Sequence, residues 1–98
     1  MTEKLKMIIG SNNVFRDLDF KEAEAENLLM RTDLMIAIQR SLSKVGLSQT
    51  EAAKKLGVTQ PRLSNLYRHR IKRFSLDALV TLAVRAGLTV QMTVKKVA

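Results

Sequence analysis

The sequence predicts a mainly α, helix-rich domain that closes on a C-terminal β-strand. Three patterns carry this reading: apolar residues at helical spacing from Leu28 to Val45, two short helical patterns hinged at Gly57, and strict alternation from Leu88 to Val94. Ninety-eight residues suffice for one small core and not for two. The chain divides into an N-terminal arm, residues 1–19, and a helical domain, residues 20–98, whose last piece is a strand over 88–96.

In the arm, Gly10-Ser11-Asn12-Asn13 is turn-prone, and Leu5 to Ile9 can form a short extended piece. Asp19 with Glu22 makes a helix cap, after which Leu28, Met35, Ile38, Leu42 and Val45 recur up to Gly46, with Arg31 falling inside the stripe. The stretch reads as one helix over about 20–44, or as two with Thr32-Asp33 capping the second; the absence of Gly and Pro favours one.

Leu47 to Arg70 is the most informative segment. Ser48 and Glu51 form a capping box, and Ala52, Ala53 and Leu56 give a buried stripe of small residues over which a second helix can cross closely. Gly57 ends this helix where positive φ is wanted, Val58 plugs the corner, and Thr59 caps the next helix. Pro61 is tolerated in the first turn, where its missing amide would have no partner. Leu63 and Leu66 turn inward, which leaves Gln60, Arg62, Asn65, Tyr67 and Arg68 outside or flanking. Two short helices hinged at a glycine and closed by a basic run form a helix-turn-helix, the pattern of a DNA reader.

Ile71 and Phe74 then return the chain to the core, Ser75 caps a last helix bearing Leu76, Leu79, Val80, Leu82, Ala83 and Ala86, and Gly87 stops it. In the strand, Leu88, Val90, Met92 and Val94 share one face. An unpaired apolar strand invites pairing, so these four residues are expected at a homodimer interface across a two-fold axis. The alternative is pairing with Leu5 to Ile9 of the same chain.

With no cysteine and His69 as its single histidine, the chain lacks the means for a disulfide or the usual zinc site, and no cofactor is expected. Met7-Ile8-Ile9 is too short for a signal peptide and no run approaches a membrane span, so a soluble, cytoplasmic protein with no membrane partner is expected. The net charge of +8 is uneven: residues 1–27 hold four Lys/Arg against six Asp/Glu, whereas 28–98 hold thirteen against three. Within 40–73, nine basic residues face only Glu51. A basic field centred on the helix-turn-helix is the footprint of phosphate binding.

Gln60, Arg62 and Asn65 are the expected base readers, because Gln and Asn pair bidentately with adenine and Arg with guanine. Ser48, Gln49, Thr59, Arg68, Arg70, Lys72 and Arg73 are the expected phosphate ligands. An enzyme is not expected. Asp17, Asp19, Glu22, Glu24 and Glu26 cluster, but no nucleophile with a base, phosphate loop or ligand group accompanies them, so they read as dipole partners and solubilising charge.

The segment resembles the helix-turn-helix of Cro/CI-type (XRE-like) repressors at Gln49, the Ala52-Ala53 pair, the Gly57-Val58 turn and the Thr59-Gln60 opening of the second helix. It differs at Pro61, which removes one potential base contact. The wider frame, from Gly10 through Lys21 to Leu28 and Arg31 to Met35 and on to the C-terminus, resembles HigA-like antitoxins of toxin–antitoxin pairs. The resemblance implies a five-helix, lambda-repressor-like domain, an inverted-repeat operator in double-stranded DNA, and autoregulation of an operon. It also implies a basic RelE-like toxin as a partner for the acidic segment 17–26. A stand-alone regulator or nucleic-acid-binding adaptor is the alternative.

Overall fold

A computed structural model describes residues 3–9 and 20–96, with side chains described from Lys21 onward. Strand β1 spans Glu3–Ile9, followed by helices α1 (Phe20–Val45), α2 (Gln49–Leu56), α3 (Gln60–Tyr67) and α4 (Leu76–Arg85) and by strand β2 (Leu88–Val94). One 3-10 turn, Ile71–Arg73, lies between α3 and α4. The expected Asp19 cap and the turn at Gly10–Asn13 lie outside the described residues.

Among the described residues there are four α-helices and one 3-10 turn, against the five helices that the resemblance implies. Residues 20–45 form a single helix, uninterrupted by Gly or Pro. Thr32, a candidate cap for a second helix, instead donates its hydroxyl back to the Leu28 carbonyl at 2.9 Å, as a Thr inside a helix does. Ile71–Arg73 is too short to be a helix of its own and closes with the Phe74 amide on the Ile71 carbonyl at 3.1 Å.

The core is built from Leu34, Met35, Ile38 and Leu42 of α1, the Ala52, Ala53 and Leu56 stripe of α2, Leu63 and Leu66 of α3, Phe74, and Leu79, Leu82 and Ala83 of α4. Ala86 and Leu88 close it at the C-terminal side. Polar side chains join the elements through backbone carbonyls: the buried Ser41 hydroxyl donates to Ala86 at 3.0 Å, and Arg85 Nη1 donates to Leu56, the last residue of α2, at 2.9 Å. Each satisfies a carbonyl at a helix end that has no partner within its own helix.

β2 is not the partnerless strand expected. It pairs in parallel with β1 of the same chain, Glu3 opposite Leu88 through to Ile9 opposite Val94, and the whole helical domain forms the crossover that parallel pairing requires. Gly87, at φ +94°, provides the left-handed turn from α4 into the strand. The alternation of β2 meets the core only at its start. Leu88 is 3 % exposed and Val90 packs against the core, whereas Met92 is 50 % and Val94 73 % exposed. Leu88 is thus a core residue, which takes it out of the expected interface set, and the exposed apolar side chains of β2 are Met92 and Val94.

Candidate nucleic-acid interface

The helix-turn-helix is capped as its sequence indicates. Ser48 Oγ accepts from the Glu51 amide at 3.2 Å and the Ser48 amide donates to Glu51 Oε1 at 3.0 Å. The Ser48 amide, and after it the Ser48 hydroxyl, favour the ionised carboxylate and hold Glu51 below the ordinary carboxylate pKa range. Gly57, at φ +70°, ends α2, and its Cα faces Arg85: an added Cβ would lie 3.0 Å from Arg85 Nη1. Val58 packs into the corner and donates its amide back to Ala53 at 3.0 Å. Thr59 caps α3, its hydroxyl oxygen accepting from the Arg62 amide at 3.4 Å.

With Leu63 and Leu66 buried, the turn of about 100° per residue decides what α3 presents to solvent. Opposite the core lie Pro61, Ser64, Asn65 and Arg68, with Gln60 at the edge nearest α2. Gln60 Nε2 donates to Thr50 Oγ1 at 3.2 Å, which orients its amide and leaves its carbonyl oxygen and second N–H available to a base. Asn65 is half-buried, and its backbone carbonyl accepts from the Arg70 amide at 3.0 Å as the chain wraps the end of α3. Pro61 lies on this face, at the position where it removes a potential base contact, and Ser64 is an addition to the residues expected there. Counting the turn from Leu63 and Leu66, rather than taking every polar residue as outward, finds it.

Arg62, the third expected base reader, lies only about 70° from the core direction, half-buried, with its guanidinium 4.2 Å from the centroid of the Phe74 ring and Nη1 donating to the Arg73 carbonyl at 3.1 Å. Arg31 of α1 reaches the same loop, its Nη1 donating to the carbonyls of Ile71 at 3.2 Å and Phe74 at 3.0 Å. That is what an arginine inside the apolar stripe of α1 does. Tyr67 packs half-buried against the core, and burial raises its hydroxyl pKa.

The expected phosphate ligands are all exposed. Thr59 accepts a capping bond yet keeps a hydroxyl proton to donate, whereas the Ser48 hydroxyl also bonds the Glu51 carboxylate. Gln49 begins α2, and Arg68, Arg70, Lys72 and Arg73 follow one another around the end of α3 and the 3-10 turn. His69 between them adopts φ +55°, and its ring Nε2 lies 2.8 Å from Gln39 Oε1 of α1. An open groove of about 480 Å³, lined by Ile36, Gln39, Arg40, Ser43, Lys44 and His69, continues this basic surface onto α1. Neither that groove nor its neighbour along Leu28 and His69–Arg73 is lined by a carboxylate. Among the described residues no group of carboxylates, histidines or cysteines could hold a metal ion.

A family described as a helix-turn-helix domain matches residues 14–95, most of the chain. The protein belongs to this family. No curated protein matches the chain. As a helix-turn-helix protein it carries a DNA-binding domain, with α3 in the position of the recognition helix and α2 crossing behind it. No helix among the described residues is long and apolar enough to cross a membrane.

Proposed function

We propose that the protein is a sequence-specific repressor of double-stranded DNA, acting in the cytoplasm. The observation that carries this is the outward face of α3, capped by Thr59, beside the exposed cations Arg68, Arg70, Lys72 and Arg73. Gln60 and Asn65 read base edges in the major groove, while Ser48, Gln49, Thr59, Arg68, Arg70, Lys72 and Arg73 hold phosphates on either side. With one recognition helix per chain, an inverted-repeat operator with half-sites about 34 Å apart calls for a two-fold dimer. The exposed Met92 and Val94 support a dimer contact at the outer end of β2.

The test is fluorescence anisotropy on duplexes from the region upstream of the protein's own reading frame, against scrambled duplexes at physiological salt. A preference of about a thousandfold or more is expected. Equal affinities would overturn the reading.

A second role, antitoxin of a toxin–antitoxin operon, is supported by the charge split. The acidic segment 17–26 opposes a strongly basic remainder and suits a basic RelE-like toxin, leaving the helix-turn-helix to the operator. Co-expression with the neighbouring reading frame and purification on one tagged partner tests it; a stand-alone regulator emerges alone.

A further inference from the structure

Arg62 occupies a position from which the sequence reading expects a base contact, yet its guanidinium faces the other way. It lies over Phe74, a ring only 1 % exposed, while Nη1 holds the Arg73 carbonyl. From the opposite side Arg31 holds the carbonyls of Ile71 and Phe74. The 3-10 turn that carries Lys72 and Arg73 is therefore fastened to α1 by one arginine and to the recognition helix by another. We propose that Arg62 is a positioning residue for DNA binding: it fixes the basic turn 70–73 against α3, so that the phosphate ligands and the base readers Gln60 and Asn65 meet one duplex in register. The proposal rests on the DNA-binding reading above.

The chemistry fits arginine specifically. A planar guanidinium can present its face to an aromatic ring and an N–H at its edge to a carbonyl at once; a lysine ammonium on a flexible stem makes the first contact and does not hold the second in place. Reading a guanine would require Arg62 to leave the ring and uncover the Arg73 carbonyl, undoing the fastening at the moment that Arg73 and Lys72 are needed at the backbone. Because the turn contributes contacts that carry no sequence information, loosening it weakens binding to every duplex alike.

The experiment compares Arg62→Met and Arg62→Lys with the wild-type full-length chain on the operator and on a scrambled duplex, across salt concentrations. For Arg62→Met, affinity for both duplexes is expected to fall together by about tenfold, with their ratio preserved and the salt slope shallower by about one unit. Arg62→Lys is expected to fall between the two, and amide exchange at Lys72 and Arg73 to quicken in both variants. Should the Met variant fail to fold by circular dichroism, the Lys variant decides by the same criteria. Loss of operator affinity alone, with scrambled binding intact, would make Arg62 a base reader and overturn the proposal. An unchanged salt slope with only a lowered melting temperature would make its role purely structural and overturn it equally. Failure of the underlying DNA-binding reading is distinct, because wild type itself would then show no operator preference.

Discussion

Glu51 and Ser48 show a residue-scale feature that is fully legible in the sequence, because every group involved lies within four residues. The bonds that close the box also set a pH dependence. Glu51 has its folded pKa lowered, first by the Ser48 amide and then by the Ser48 hydroxyl. A carboxylate shifted this way contributes fully above its unfolded pKa, about 4.3, and its contribution is lost as pH falls through the lower folded value. Glu51→Gln keeps an acceptor for the Ser48 amide but does not titrate. Its urea midpoint should therefore decline less than that of wild type between about pH 5 and pH 3, and superimposable acid limbs would show that the box does not respond to protonation. Other residues were not legible, because their partners are far along the chain. Arg31 stands 40 and 43 residues from the carbonyls it holds. His69 takes a left-handed conformation that its residue type does not announce, steadied by Gln39 thirty residues earlier.

At the scale of elements, the helices followed from local signals and the sheet did not. Caps at Ser48, Thr59 and Ser75 mark three helix starts, and the uninterrupted run before Gly46 marks the longest helix. Alternation likewise marks β2 but says nothing of which strand lies beside it or how far along it the core reaches. The difference separates two substitutions that the period-two pattern treats as equivalent. Leu88→Ala, in the core, should cost about 2–5 kcal/mol in a urea melt. Met92→Lys, at a half-exposed position beyond the core, should change stability by no more than about 0.5 kcal/mol. If the outer end of β2 is the dimer contact, Met92→Lys should nevertheless halve the mass by light scattering, because a charge has no partner at a paired apolar face. A dimer of unchanged mass would place the contact elsewhere.

For the whole molecule, the question is whether the acidic and basic parts of the chain separate into a partner-binding arm and a DNA-binding domain. The fold moves the useful cut. Removing residues 1–26 would take away the first turns of α1 along with β1, so loss of any activity could reflect damage to the helix. Removing only residues 1–9 unpairs β2 and leaves α1 to α4 complete, together with the acidic segment 17–26. Among the described side chains the buried core runs from Leu34 to Leu88, so the truncated chain should fold and keep operator affinity within about twofold, since no base reader or phosphate ligand is touched. It should melt at a lower temperature, having lost the ladder between Glu3–Ile9 and Leu88–Val94, and self-associate more readily through the bared strand. Anisotropy with operator DNA, thermal melts and light scattering read these three effects separately. If DNA binding fails while the helical signal persists, β1 positions the recognition helix through the sheet, and the separation of arm from DNA-binding domain does not hold.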